Sequence, residues 1–248
     1  MGKLSKRMKA VAAMVNVNGV LADVGTDHGY IPIALVEQKR IQRAIAMDIN
    51  VGPLERAKRN IAASHLEDYI ETRLSDGVEA LKEHEADTIL IAGMGGELMI
   101  KIMTEGQAIF EQAKEIILQP QSDIRRVREY LRLQHFQIMD EDMVFEDGKY
   151  YPMMRVERNL NLDENWKRMD EASIVACDSY GPLLLKHGNP VLRRFLVKEH
   201  KQLLKIITDL RKQPVSDAIE ERIHTLQEEL CYNESAYTIL GAIKNAGI

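Results

Sequence analysis

The segment VLADVGTDHGY, residues 20–30, decides the fold of this chain. An apolar run ends in Asp23, the chain turns through Gly25 and Gly29, and a helical pattern follows, as in the first unit of a nucleotide-binding α/β fold. The turn reads GTDHG rather than GxGxxG, so Asp23 and Asp27 flank the place where a dinucleotide fold holds a pyrophosphate. Because two carboxylates would repel a diphosphate, the segment favours a phosphate-free cofactor with a cationic amino-acid end, such as S-adenosylmethionine.

The bulk composition is that of an ordinary globular protein. The 248 residues are enough for one α/β domain with a smaller appendage. A net charge of −5 gives no overall nucleic-acid signal, so any such binding must use local basic patches. Cys177 and Cys231 lack CxxC spacing, which predicts neither a disulfide framework nor a metal site. The N-terminal apolar segment is too short to span a membrane, and we expect a cytoplasmic protein with no membrane partner.

Strands and helices alternate along the first two thirds of the chain. Apolar runs predict strands at 20–24, 43–49, 69–74, 87–92 and 115–119, followed by a hairpin of 136–142 and 149–157. Helical spacing predicts helices at 4–15, 30–38, 52–64, 96–105, 107–112 and 124–134, with a short one over 77–81. This order predicts an α/β class, Rossmann-like fold with a mostly parallel seven-stranded sheet and an antiparallel edge.

No strand is predicted beyond residue 158. A helix is expected over 162–179, a second should begin at Asn189-Pro190, and Asp217 with Glu220 resembles the capping box of a third. The second helix carries an apolar stripe that Glu199 interrupts: Leu192, Phe195, Leu196, Leu203, Ile206, Ile207 and Leu210. The third carries a short coiled-coil seam: Ile219, Ile223, Leu226 and Leu230. The expected domains are therefore 1–158, which binds the cofactor, and 159–248, an all-α helical hairpin.

Four segments follow predicted strands and should meet in one crevice at the carboxyl edge of the sheet. Asp48, at the end of the second strand, is placed to accept hydrogen bonds from ribose hydroxyls, and Asp76 can accept one from an adenine amine. The glycines of AGMGG, 92–96, allow a ligand to approach the backbone. The expected cofactor contacts are Asp23, Gly25, His28, Gly29, Asp48, Ile49, Asp76, Gly77, Gly93, Met94 and Gly95.

Each of these residues also has a purely structural interpretation. Asp48 can cap the next helix, Asp76-Gly77 can form an ordinary turn, and Met94 can simply pack. Gly95-Gly96 can serve only to start a helix. His28 can orient the cofactor, bond to backbone or touch substrate, and nothing in the sequence supplies a catalytic triad around it. The four segments in this order and spacing favour the cofactor site over the separate structural explanations.

The motifs DVGTDHGYIP, MDI, SDG, AGMGG and LQPQSD together resemble the bacterial tRNA adenine-N1 methyltransferase family that modifies adenosine 22. The resemblance covers essentially the whole chain, and the pair DxGTDHGxxP and AGMGG is specific to that family. It implies a Rossmann-like methyltransferase domain, S-adenosylmethionine as methyl donor, and a tRNA substrate that the C-terminal helices help to bind.

The chemistry of the fourth segment agrees with attack by a ring nitrogen. AGMGG offers no side-chain acceptor for an exocyclic amine, whereas adenine N1 has an in-plane lone pair and needs no general base. A nearby carboxylate would stabilise the cationic product, and Asp27, with His28 beside it, is the candidate catalytic residue. Tyr30 can stack on a flipped-out adenine or belong to the core, and the core is favoured.

Three basic clusters point to RNA. Residues 186–212 contain eight Lys or Arg and two acids; a second cluster, Arg125, Arg126, Arg128 and Arg132, follows QPQSD; and the N-terminal helix adds Lys3, Lys6, Arg7 and Lys9. A solvated helix face explains most such runs, but three of them in an acidic protein favour phosphate contacts. The candidate tRNA-binding side chains, besides Tyr30, are Arg125, Arg126, Arg193, Arg194, Lys198 and Lys201.

Other functions compete with this one. The chain can be a methyltransferase for a protein or a small molecule, with a tail that serves only dimerisation, and the basic face argues against this. It can also be a methyltransferase for another RNA. It can be an NAD-dependent enzyme, which the GTDHG turn disfavours. It can be a non-catalytic tRNA-binding protein on the same fold, although a scaffold has no use for acids at three strand ends. No oligomeric state is predicted.

Overall fold

The computed structural model describes residues 4–160, 166 and 168–245. The chain forms two compact units, Met1–Leu162 and Asp163–Ile248. The sequence-based division after residue 158 falls slightly earlier than this one.

The first unit is built on a seven-stranded sheet in the order β3-β2-β1-β4-β5-β7-β6. Five strands are parallel, and β7 runs antiparallel to both β5 and β6. The strands are β1 Val20–Val24, β2 Arg43–Asp48, β3 Ile70–Leu74, β4 Thr88–Met94, β5 Glu115–Pro120, β6 Phe136–Glu146 and β7 Lys149–Arg158. The helices are α1 Lys6–Ala13, α2 Tyr30–Glu37, α3 Val51–Ala63, α4 Gly96–Glu105, α5 Gln107–Gln112 and α6 Ile124–Leu133. The predicted α/β class and mostly parallel seven-stranded sheet are confirmed.

Helices cover both faces of the sheet, which explains why its strands are apolar runs rather than alternating patterns. One face packs Ala22 and Val24 of β1 against α4, α5 and α6, in a cluster that includes Met99 and Phe110. The other face packs Leu21 against α1, α2 and α3. The central strand β1 is therefore held from both sides, and its carboxyl end is a fixed point for the residues that follow it.

The predicted short helix over 77–81 is wrong, because that segment forms turns. Ser75 Oγ donates to the Gly77 carbonyl at 3.0 Å and accepts from Ala80 N at 3.1 Å. The Arg73 guanidinium donates to the Ala80 carbonyl at 2.8 Å and to Glu85. These side chains occupy the backbone groups that a helix would use.

The described part of the second unit contains helices and no strand: α7 Glu171–Tyr180, α8 Pro182–Lys186, α9 Pro190–Leu210 and α10 Asp217–Asn245. Within the helix predicted over 162–179, Met169 and Asp170 are not helical, and α7 begins only after its cap Asp170, whose Oδ1 accepts from Ser173 N at 2.8 Å. Residues 162–165 and 167 of that prediction lie outside the described residues. The Asn189 cap is confirmed. The Asp217 capping box is wrong, because Ser216 precedes the helix and its carbonyl accepts from Ile219 N and Glu220 N.

Helices α9 and α10 pack through the predicted seam. Leu203, Ile207 and Leu226 form its buried centre, flanked by Leu210, Ile223 and Leu230. Ile206, which the sequence pattern assigns to the stripe, is 43% exposed instead, because it lies to one side of this seam. Glu199 is satisfied within the helices: it accepts from Tyr180 Oη at 2.6 Å and from Asn233 Nδ2 at 2.9 Å. A polar residue therefore interrupts the stripe at no loss of hydrogen bonding.

Candidate active site

A cavity of about 600 Å³ opens in the first unit at the carboxyl ends of β1, β2 and β4. Parallel strands present their loops at this edge, where open α/β sheets bind ligands. Most of the predicted site residues line it: Asp23, Gly25, Asp27, His28, Tyr30, Asp48, Ile49, Asp76, Gly77, Gly93 and Met94. Two predicted cofactor contacts, Gly29 and Gly95, are not among the lining residues.

The GTDHG turn is shaped by left-handed backbone at alternate positions. Gly25, Asp27 and Gly29 have φ of +74°, +48° and +70°, a conformation open to glycine and tolerated by aspartate. The amides of Gly25 and Thr26 both donate to the Met47 carbonyl at 2.8 Å, which ties the turn to β2. A Cβ at Gly25 would meet only the flexible end of the Met94 side chain, so the left-handed φ rather than the space favours glycine here.

Gly29 and Gly95 have backbone roles beside the cavity, and their assignment as cofactor contacts stays a prediction. Gly29 ends the turn, begins α2 and lies against Ala57. Gly95 is the residue before α4, and a Cβ there would lie 3.2 Å from Ser122 Oγ. Gly95 therefore has the structural role of starting a helix, the alternative raised from the sequence.

The Asp23 carboxyl is the most perturbed acid of the cavity. It is 5% exposed, and its Oδ2 accepts from Thr26 Oγ1 at 2.6 Å. Burial raises the pKa of Asp23 to about 6; the Thr26 hydrogen bond opposes this shift and the nearby Asp48 charge adds to it. Removing a carboxylate from water costs free energy that a cationic ligand can return. Asp23 is thus poised to gain a positive partner.

Asp48 and Asp76 stand at the ends of the two neighbouring strands. Asp48 accepts from Asn50 N at 2.8 Å, and it does not cap α3, because Asn50 occupies the cap position. Asp76 is exposed in the turn after β3. Next to it, a Cβ on Gly77 would lie 3.0 Å from Ile102, so the glycine lets this turn approach α4.

The predicted catalytic pair forms a cluster at the cavity edge. Asp27, 61% exposed in its side chain, accepts from Arg56 at 2.8 Å and lies 3.5 Å from His28 Nε2. The His28 ring stacks on Tyr30 with centroids 5.1 Å apart and planes 7° from parallel. The favoured core role of Tyr30 is wrong, because the ring is only partly buried and lines the cavity. Arg56 is absent from the sequence-based site, since nothing in the sequence links α3 to this turn.

The sequence also misses one whole wall of the cavity. Helix α1 contributes Arg7, Met8 and Val11, and further side chains come from Asn50, Leu98, Ile102 and Gln121. For this wall of the cavity, the sequence offers only the helical spacing of apolar residues in α1. Such a pattern identifies an apolar face but not the strand end that it covers.

The basic clusters divide into exposed and structural residues. Arg128 is 2% exposed and donates from Nε to Glu141 at 2.9 Å, so its assignment to an RNA-facing cluster is wrong. Arg125 and Arg126 are both exposed, and Arg126 pairs with Glu97. On α9, Arg194, Lys198 and Lys201 are exposed and Arg193 is partly buried.

Two features are absent from the residues that the structure describes: a metal-binding cluster and a membrane-spanning helix. Over the residues that the structure describes, no cluster of three or more His, Cys, Asp or Glu side chains could hold a metal ion. Over the same residues, no helix has both the length and the apolar character needed to cross a membrane.

Comparison with known proteins agrees with the geometry. Residues 4–154 match the family model described as a methyltransferase domain. The chain is 32% identical to the tRNA (adenine(22)-N(1))-methyltransferase of Bacillus subtilis, over 92% of this chain and 94% of that protein. A putative tRNA (m1A22) methyltransferase of Streptococcus pneumoniae, solved with S-adenosyl-L-methionine, superimposes with a TM-score of 0.79 at 31% identity, covering 96% and 100% of the two chains. M. capricolum TrmK with S-adenosyl-homocysteine gives 0.79 at 26% identity, covering 96% and 99%.

Replacing the buried carboxyl should stabilise the ligand-free protein in a pH-dependent way. The Asp23 carboxyl titrates near 3.8 when unfolded and near 6 when folded, so the native state binds more protons in this window and loses stability as pH rises through it. Asp23→Asn should therefore raise the free energy of unfolding by up to about 3 kcal/mol at pH 7.5, and by roughly half as much at pH 5.

Urea denaturation at the two pH values measures this difference, with Asp68→Asn at an exposed position as the control. Equal effects at both pH values, or a destabilised Asp23→Asn at pH 7.5, would contradict the burial argument.

Proposed function

Because this chain belongs to the methyltransferase domain family and, within it, to the family of the Bacillus subtilis tRNA (adenine(22)-N(1))-methyltransferase, we propose that it methylates N1 of adenosine 22 in tRNA with S-adenosylmethionine as donor. One observation carries the proposal: the cavity at the strand ends is lined by four carboxylates, Asp23, Asp27, Asp48 and Asp76. It fits a cationic, phosphate-free cofactor and disfavours a dinucleotide.

The residues of the cavity fit each part of this cofactor. Asp48 ends β2 and is placed to accept from ribose hydroxyls, as acids at this position do. Asp76 would accept from the adenine amine, and the exposed Ile49 and the buried Ile102 line the same cavity as apolar neighbours for the ring. Asp23 would bind the positively charged part of the cofactor, because its buried carboxylate is paired with the Thr26 hydroxyl and not with a cation. When bound, S-adenosylmethionine supplies a methyl group activated by a positively charged sulfur.

The chain's own part in the reaction is orientation and electrostatics. Adenine N1 attacks with an in-plane lone pair, so no residue must remove a proton, and the positive charge passes to the base. Asp27 would stabilise that charge at the cavity edge, and its Arg56 partner would hold the carboxylate in place. The stacked rings of His28 and Tyr30 offer a flat surface for an adenine that has left its helix.

The second unit would bind the tRNA. Helix α9 presents a basic face of Arg193, Arg194, Lys198, Lys201 and Lys205 beside the seam that packs on α10. Such a face supports phosphate contacts, and the seam supports a short antiparallel coiled coil. Arg125 and Arg126 of the first unit would add contacts of the same kind. A cytoplasmic location belongs to this proposal, because tRNA is modified there.

A methyl-transfer assay tests the proposal. An unmodified tRNA transcript with adenosine at position 22 is incubated with the protein and S-adenosylmethionine labelled in its methyl group. We expect label in 1-methyladenosine at position 22, and none in a transcript that carries guanosine there. Label at another atom or position would indicate a different RNA methyltransferase, whereas binding of tRNA without transfer would indicate a non-catalytic protein.

Asp27 should matter more for turnover than for cofactor binding. Asp27→Asn removes a carboxylate from the place where the adenine becomes cationic, and we expect kcat to fall at least about 10-fold while the Kd for S-adenosylhomocysteine changes less than about 3-fold. Asp147→Asn is a matched control, since Asp147 is exposed and also has a left-handed φ of +48°. Equal losses in kcat and cofactor affinity would reject the catalytic role.

The basic face of α9 should account for part of the salt dependence of tRNA binding. Arg193→Glu with Arg194→Glu should weaken tRNA affinity and reduce the steepness of log K against log salt by about one for each phosphate that the protein no longer neutralises. Cofactor affinity should not change. The control reverses two exposed cations of the first unit, Lys39→Glu with Arg43→Glu. Unchanged tRNA affinity in the α9 variant would remove this face from the binding surface.

A further inference from the structure

Arg7 of α1 lies at the edge of the acidic cavity and is held there by neutral partners. Its Nη1 donates to Gln119 Oε1 at 2.8 Å, and its guanidinium carbon lies 5.3 Å from the centre of the Tyr151 ring. Gln119 is fully buried, and its Nε2 donates to the Pro120 carbonyl at 3.0 Å. That second bond leaves Oε1 directed at Arg7, so the guanidinium is fixed by an amide and a ring.

The Arg7 guanidinium attracts the Glu146 carboxylate at the start of its helix but forms no direct ion pair. Among the described residues, no carboxylate lies within 4.0 Å of its guanidinium to form an ion pair. Of the described side chains that line the cavity, it is also the only one with a permanent positive charge. A partly buried cation held by neutral groups is preorganised for an anion, because binding requires no competing ion pair to break.

The backbone that carries Arg7 is anchored as well. The amides of Lys6 and Arg7, at the start of α1, donate to the Glu146 carboxylate at 2.6 and 3.2 Å. Ser5 caps the same turn, accepting from Met8 N at 3.2 Å. These bonds fasten the first turn of α1 to the β6–β7 hairpin, so the position of Arg7 is set by the fold of the first unit.

A second donor converges with Arg7 beside Gly93. A Cβ placed on Gly93 would lie 3.4 Å from Arg7 Nη1 and 3.5 Å from Gln121 Nε2, and Gly93 itself has a left-handed φ of +82°. The guanidinium and the amide therefore border one small space that a side chain at this position would fill. Two nitrogen donors next to such a space suit a carboxylate.

We propose that Arg7, with Gln121 beside it, binds the α-carboxylate of S-adenosylmethionine; this inference rests on the proposed function. The amino-acid end of that cofactor carries an ammonium and a carboxylate, so its site needs both an acid and a cation. Asp23 and Arg7 line the same cavity and supply one of each. A phosphate of the RNA substrate is the competing anion, and the experiment separates the two.

The test compares two ligands that differ only in the carboxylate: S-adenosylmethionine and its decarboxylated form, which keeps the sulfonium and the amine. Titration calorimetry measures both affinities for the full-length wild type, Arg7→Gln and Arg7→Lys. Arg43→Gln, the same change at an exposed position at the start of β2, is the matched control. We expect Arg7→Gln to weaken S-adenosylmethionine binding about 10- to 100-fold and to change binding of the decarboxylated ligand less than about 3-fold.

Arg7→Lys keeps the charge but not the planar fork, so we expect an intermediate, equally selective loss. If Arg7→Gln does not fold, as judged by circular dichroism, the lysine variant carries the test. Equal weakening of both ligands would assign Arg7 to structure alone and overturn the inference. Unchanged cofactor affinity with weakened tRNA affinity would assign it to phosphate and overturn the inference as well. Failure of the wild type to bind S-adenosylmethionine would instead refute the proposed function.

Discussion

The site is organised around one unfavourable interaction, the burial of the Asp23 carboxyl at the end of the central strand. Helices on both faces fix β1, and the turn after it is tied to β2 by two amides on the Met47 carbonyl. The carboxyl is 5% exposed, and among the described side chains its hydrogen-bond partner is the Thr26 hydroxyl. Its raised pKa of about 6 expresses that cost. Such a residue lowers the stability of the ligand-free protein, and a positively charged ligand would return that free energy on binding.

The other charges of the cavity extend this logic. Asp48 and Asp76 bring two more carboxylates to the strand ends, a set of charges that disfavours a diphosphate and favours a cation. Arg7 stands apart from them, held by an amide and an aromatic ring. The amino-acid end of S-adenosylmethionine carries an ammonium and a carboxylate, which match the acids of the cavity and Arg7. A purely cationic ligand would have no group to pair with Arg7. The relationship to S-adenosylmethionine-binding methyltransferases fits this division of charge.

The sequence predicts the fold well where the hydrophobic pattern is long and bounded by glycine. Strand β1 has the predicted bounds because an apolar run buried on both faces leaves a clear pattern. Helices α4 and α5 also have the predicted bounds, and each follows a glycine, Gly95 and Gly106. The hydrophobic pattern does not predict segments whose conformation is set by side-chain hydrogen bonds. Ser75 and Arg73 hold the segment after β3 in turns, and the Asp170 side chain caps α7 at a position that the sequence pattern does not mark.

The site shows the same limit. Acids at strand ends can be placed from the sequence, since the topology of parallel strands brings them together. Arg7, which lines the cavity, and Arg56, which pairs with Asp27, cannot, because each lies on a helix whose position depends on tertiary packing. The sequence pattern puts Tyr30 in the core and Arg128 on the surface, and both are wrong for one reason. Periodicity does not reveal which side of a helix meets a cavity or a buried Glu141.

The central claim is that Asp23 receives the positive charge of the cofactor. Calorimetric titration of S-adenosylmethionine at pH 6, in two buffers with different ionisation enthalpies, measures the protons exchanged on binding. Because Asp23 is about half protonated at this pH, the wild type should release about half a proton per site, and Asp23→Asn should lack this release. The same proton release from both proteins would contradict the account.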